Sequence, residues 1–197
     1  MEFLPIFLNI KGRKCVVVGG GDIARRKTAV LTQAGGNVHV ITGNDSDSPT
    51  EFDQLKSITL VEKSFSASHL KNAVLAVAAT DNPEVNLAVY KSAHDLGIPV
   101  NVVDQPNLCS FIMPSIVDRS PVVIAISSSG TSPVLTRTIK ELNDSLIPER
   151  IGELALLFGS YRERVSHEIP EVSMRVRFWE GLLDSDVPEM VYAGNIS

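Results

Sequence analysis

CVVVGGGDIARRK, residues 15–27, decides the fold. Three valines run into three glycines, and a segment with helical character follows at once. A short run of β-branched apolar residues is expected to be buried on both faces, as in a central parallel strand. Gly19-x-Gly21-x-x-Ala24 then fits the dinucleotide fingerprint, with alanine at its third position. Gly19 makes the tight turn, Gly21 lets the backbone approach a pyrophosphate, and Ala24 lets the helix pack close to the strand. The amides of Asp22 and Ile23 open the helix and would face the phosphates, aided by the positive end of the helix dipole. By itself the pattern is weak, because a ligand-free glycine turn has the same spacing. Its place between a buried strand and a helix, in the first βαβ unit, favours the nucleotide site.

Outward from this turn, strands and helices alternate. Ile23, Lys27, Val30, Leu31 and Ala34 fall at helical spacing, and Gly35-Gly36 stops the helix. NVHVIT (37–42) reads as a second strand, ITLVEK (58–63) as a third and AVLAVAAT (73–80) as a fourth, ending on Thr80. Asn82 caps the next helix, Pro83 takes its first position and Gly97 ends it. PVNVVD supplies a fifth strand that closes on Asp104. This alternation predicts an α/β, Rossmann-like doubly wound parallel sheet over residues 1–113. Beyond it, two apolar runs joined by DRSP predict a hairpin. Ser132 and Pro133 then open a helix with Val134, Leu135, Ile139, Leu142 and Leu146 on one face. The hairpin and helix form a connector over 114–147, and a small helical domain fills 148–197.

Composition bounds the partners. A net charge of -5 over 197 residues argues against nucleic acid. No apolar run approaches the roughly 18 residues of a membrane span. The N-terminus MEFLPIFLNIKGRK, with Glu2 and Pro5, does not read as a signal peptide. Two cysteines, Cys15 and Cys109, cannot build a disulfide framework, so a cytoplasmic protein is expected. His39, His69, His94 and His167 show no metal-ligand spacing, and no resident metal is expected.

The second strand departs from the fingerprint. It should end in an acid for the ribose hydroxyls, yet it ends in Thr42, Gly43 and Asn44, with Asp45 late. Backbone atoms of Gly43 and Asn44 are the substitute candidates. The motif leaves NAD and NADP undecided, and Arg25 and Arg26 are expected to face solvent.

LPIF near the start, VVGGGDIARRK, AATDNPEVN, NVVDQPN, SFIMPSIVDRSP and AISSSGTSPVL together resemble the N-terminal module of siroheme synthases and the standalone precorrin-2 dehydrogenases. The resemblance runs in order along essentially the whole chain. It implies an enzyme that oxidises precorrin-2 to sirohydrochlorin with NAD as cofactor, and that in many members also inserts ferrous iron to give siroheme. It implies an intertwined homodimer formed through the region after the NAD domain, which makes the hairpin and helix of 114–147 the dimerisation region and 148–197 a helical tetrapyrrole-side domain, and in longer members a following methyltransferase domain. It places the catalytic aspartate at Asp104, which ends the fifth strand at the sheet's carboxyl edge. It puts Ser128 beside the tetrapyrrole and Thr80 among the cofactor-side residues. A turn-forming role is the alternative at each: for Asp104 in DQPN the catalytic reading is favoured over it, and for Ser128 in SSSG the two readings weigh equally. A chelatase alone, or a non-enzymatic NAD-sensing module, are the competing functions. The first leaves the intact fingerprint unused, and the second lacks a basic recognition helix. The tetrapyrrole is a polycarboxylate, yet acids outnumber arginines from Glu149 onward, so its recognition must be local.

Overall fold

A computed structural model describes residues 1–43, 52, 58–61 and 63–195. The chain divides into two compact units, Met1–Met113 and Pro114–Ser197.

The first unit is a five-stranded parallel sheet in the order β3-β2-β1-β4-β5. Its strands are β1 (Lys14–Val18), β2 (Asn37–Ile41), β3 (Ile58–Val61), β4 (Leu75–Ala78) and β5 (Val100–Val102). α1 (Asp22–Gln33) links β1 to β2, and α2 (Pro83–Asp95) links β4 to β5. Strand residues alternate between two cores. Cys15, Val17, Val38, Val40, Leu75 and Val77 pack with Ala24 and Leu31 of α1. Val16, Val18, Ile41, Ala76, Ala78, Val100 and Val102 pack with Val89 and Ala93 of α2. With both faces covered, the strands need apolar residues at every position, which is why they read as unbroken apolar runs. The strand order reverses direction between β1 and β4, where open α/β sheets form their ligand crevice.

α1 is turned relative to the sequence expectation. Ala24, Thr28 and Leu31 are its buried residues, whereas Ile23 and Ala34 are exposed. The glycine turn brings the start of the helix so close to the sheet that a small side chain, Ala24, must face inward there, while Leu31 keeps its expected burial further along. A Cβ placed on Gly19 would lie 3.3 Å from the Ala24 Cβ. α2 starts as its sequence predicts: Pro83 is its first residue, and the Asn82 side chain accepts from the N–H groups of Glu84 and Val85.

The second unit opens with an antiparallel hairpin, β6 (Ser115–Arg119) and β7 (Val122–Ile126). α3 (Pro133–Leu146) packs against β6, and Arg119 Nη2 donates to Asp144 Oδ1 at 3.0 Å. α4 (Ile151–Glu168), α5 (Val172–Leu183) and α6 (Val187–Tyr192) follow, with the rings of Trp179 of α5 and Phe158 of α4 tilted against each other, centroids 5.0 Å apart. α3 keeps its predicted cap at Ser132, but its apolar stripe is uncovered: Val134 is 70 % exposed, Leu142 57 % and Leu146 67 %.

Gly152, in the first turn of α4, lies against the backbone of the hairpin turn. A Cβ there would overlap the carbonyl oxygens of Arg119 and Ser120. Backbone cannot move aside cheaply, so Gly152→Ala is expected to destabilise this unit by about 2–3 kcal/mol. Urea unfolding followed by Trp179 fluorescence measures this.

Candidate functional site

At the carboxyl edge of the sheet, the chain leaves β1 through Gly19, whose φ is +137°. Gly19 N–H continues the ladder to the Ile41 carbonyl at 2.9 Å. A Cβ on Gly19 would overlap the Ala79 carbonyl oxygen, so backbone conformation and packing each require glycine here. Gly21 differs. It is the N-cap of α1, with φ −83° and ψ −177°, an extended conformation open to any residue, and a Cβ there meets nothing within 4 Å. Neither strain nor internal packing calls for glycine at 21. The space in front of its backbone is open, and a side chain would fill it. Among the described residues no side chain caps this helix end, so the amides of Asp22 and Ile23 remain available to an anion.

Asp22 places a carboxylate beside this turn, which would repel phosphate if left alone. Arg25 Nη2 donates to its Oδ1 at 3.0 Å, and Arg26 Nη2 lies 3.5 Å from Oδ2. The Arg25 hydrogen bond holds the Asp22 carboxyl below the usual carboxylate range. The two guanidiniums thus offset its charge. Gly43, just past β2, has φ +80° and open space where a Cβ would stand. Asn44 lies outside the described residues.

Thr80 ends the segment after β4 and is clasped from α2. Asn86 Oδ1 accepts from Thr80 N–H at 3.2 Å and from Thr80 Oγ1 at 2.8 Å, and Asn86 Nδ2 donates to the Thr80 carbonyl at 2.8 Å. Asn82 N–H also donates to Thr80 Oγ1 at 3.2 Å. The polar atoms of Thr80 are therefore engaged inside the turn, leaving its methyl group as the part free for packing. Asn86 escaped the sequence reading. Its signal is an amide at the spacing of Val89 and Ala93, on the buried face of α2.

Asp104 follows β5 and has φ +58°, a left-handed backbone that aspartate tolerates better than most residues. Its backbone leaves the same carboxyl edge as Gly19, Gly43 and Thr80, one strand beyond β4. Gly19, Gly21, Asp22, Ile23, Gly43, Thr80 and Asp104 thus all lie in the first unit, at or after the carboxyl ends of its strands. Ser128 belongs to the second unit. There its Oγ accepts from Ser132 N–H at 2.9 Å, its carbonyl accepts from Thr131 N–H at 3.0 Å, and its hydroxyl proton remains available. Cys15 is fully buried, and burial pushes its thiol up to about 11, which keeps it protonated and unreactive.

A parallel sheet with a glycine turn opening its first crossover helix, at the switch point of the strand order, defines a dinucleotide-binding α/β protein. Residues 6–115, more than half of the chain, match the family described as "Putative NAD(P)-binding", and the chain belongs to that family. Residues 150–197 match the sirohaem synthase dimerisation region, downstream of the hairpin and helix to which the sequence reading assigned dimerisation. The siroheme synthase of Nitrosospira multiformis is 47% identical over 198 residues, covering 98% of this chain and 42% of that protein. That of Nitrosomonas europaea is 46% identical over 195 residues, covering 98% and 41%. The chain thus spans about two-fifths of the length of these relatives. The solved structure of SirC, precorrin-2 dehydrogenase, has a TM-score of 0.71 over 94% of this chain and 92% of that chain at 24% identity, a likeness of fold.

The two glycines predict opposite phenotypes. Gly19→Ala should lower stability by about 3 kcal/mol, because a methyl group would collide with backbone. Gly21→Ala should cost no more than about 1 kcal/mol of stability, the penalty of alanine at a helix N-cap. It should nevertheless weaken NAD binding at least about tenfold, or about 1.4 kcal/mol. Thermal melts and calorimetric titration separate the two effects, and unchanged NAD affinity in Gly21→Ala would refute the turn as the phosphate site.

Proposed function

We propose that this chain binds NAD at the Gly19–Ile23 turn and oxidises precorrin-2 to sirohydrochlorin, with Asp104 as the base, and that it also inserts ferrous iron to give siroheme. The observation that carries this reading is the pairing at one sheet edge of an open glycine turn with an aspartate whose backbone is left-handed. Similarity along the whole chain to siroheme synthases supports the choice of substrate. NAD, when bound, supplies the hydride acceptor. The residues that hold it are Gly19, Gly21, Asp22 and Ile23 at the pyrophosphate, Gly43 and Asn44 toward the ribose, and Thr80 along the wall of the cleft. Precorrin-2 must lose a hydride and a proton, and the Asp104 carboxylate takes the proton. In the second reaction two pyrrole protons leave as the metal ion enters, and the same carboxylate accepts them in turn and releases them to water. Iron is a substrate here; among the described residues no cluster of His, Cys, Asp and Glu could hold a resident metal. Ser128, on the tetrapyrrole side, donates its hydroxyl proton to the substrate. NAD is the preferred form, a preference that rests mostly on the family resemblance.

The working species is a homodimer in the cytoplasm. Support comes from the exposed apolar stripe of α3 and the match of the last helices to a dimerisation region. Two free cysteines suit a reducing compartment, and no described helix is long and apolar enough to cross a membrane.

Mixing the protein with precorrin-2 and NAD should raise absorbance at the reduced nicotinamide band, and no rise would overturn the reading. Asp104→Asn is the informative variant, because asparagine tolerates the left-handed backbone and keeps the shape but does not accept the proton. Both oxidation and iron insertion should fall by roughly 10²–10⁴-fold, with NAD affinity retained. Sedimentation at micromolar concentration should give a dimer, and the pair Leu142→Glu and Leu146→Glu should shift it toward monomer.

A further inference from the structure

Among the described residues β5 is the last strand of its sheet, so one of its edges faces no other described strand. That edge is nevertheless satisfied, by the chain returning from the Asp104 loop. Val100 N–H donates to Ser110 Oγ at 2.7 Å, and Ser110 N–H donates to the Val100 carbonyl at 2.9 Å. Val102 N–H donates to Cys109 Sγ at 3.2 Å, while the thiol lies within donating reach of the carbonyls of Val102 at 3.2 Å and Gln105 at 3.4 Å. Asn101 Nδ2 adds a bond to the Phe111 carbonyl at 3.1 Å. Two side chains therefore do here what the carbonyls of a neighbouring strand would do, and the loop they close carries Asp104 at φ +58°.

We propose that Ser110 and Cys109 are positioning residues for Asp104: by closing the loop onto the free edge of β5 they hold the carboxylate at the reacting position. The inference rests on the reading of Asp104 as the base. A left-handed aspartate persists only where its surroundings over-determine it. Beside Asp104 itself, Gln105 N–H donates to the Val102 carbonyl at 3.3 Å and Val103 N–H to the Ala78 carbonyl at 2.9 Å; the remaining bonds lie at the neck of the loop, at Val100 and Val102, where Ser110 and Cys109 supply them. Loosening the neck lets Asp104 relax toward ordinary backbone conformations and leaves the phosphate site on β1 untouched. Ser110 is itself exposed, so its substitution disturbs no core packing.

The test compares Ser110→Ala, the double variant Ser110→Ala with Cys109→Ala, and Ser110→Thr, which keeps the hydroxyl. In the precorrin-2 oxidation assay the double variant should lose about tenfold or more in kcat, and Ser110→Ala a smaller part of that, since small misplacements of a reacting group are costly. NAD affinity by calorimetry should stay within about twofold, and Ser110→Thr should restore the rate. Faster hydrogen exchange at the Val100 and Val102 amides, in variants that still melt cooperatively, should accompany the loss. A wild-type kcat in the double variant, an equal fall in NAD affinity, or no rescue by threonine would each overturn the proposal. If wild-type protein is active, Asp104→Asn is dead and the double variant runs at full rate, only the positioning role fails. If wild-type protein is inactive, or Asp104→Asn keeps its rate, the assignment of the base fails and this inference falls with it.

Discussion

The contact on which the first unit turns is the approach of Gly19 to the carbonyl of Ala79. The end of β1 lies against the end of β4 so tightly that a methyl group has no room. This closeness brings α1 onto the sheet through Ala24 and Thr28, and it aims the first amides of the helix across the carboxyl edge. It also sits at the reversal of strand order, where the crossovers leave β1 and β4 in opposite directions and open a crevice. One residue without a side chain thus sets the helix position, the direction of its dipole and the wall of the site.

The site is built mainly from backbone, and its side chains mostly hold backbone in place. Asn86 matches both the donor and the acceptor of Thr80, a buried amide used as a template for the turn. Ser110 and Cys109 satisfy the outer edge of β5. Arg25 and Arg26 offset the charge of Asp22 beside the turn. A chain with net charge -5 can bind an anion in this way, because amides at a helix start act at short range and need no surrounding basic field.

The second unit follows a different logic. Its hairpin, α3 and α4 are joined by a glycine contact and by the Arg119–Asp144 pair, while apolar side chains on α3 stay in solvent. A helix whose apolar stripe meets nothing in its own chain gains little from folding alone, and the proposed dimer supplies the missing burial.

Residues near one another in sequence were readable from sequence alone: unbroken valine runs between glycines, the Asn82-Pro83 helix start, and the glycine spacing at 19, 21 and 24. Each depends on local backbone preference or on burial from both faces, which leaves a periodic trace. The helical period alone left the buried face of α1 open, because Ile23, Val30 and Ala34 satisfy it as well as Ala24, Thr28 and Leu31 do; only the fingerprint put Ala24 against the strand. The choice came from the clearance at Gly19, which involves Ala79, sixty residues away in the chain. The left-handed backbone of Asp104 and the partners of Thr80, Cys109 and Ser110 likewise belong to tertiary structure. Hydrogen bonds between side chains and distant backbone follow no sequence period, since they are set by which strand ends as an edge and where the chain returns along it.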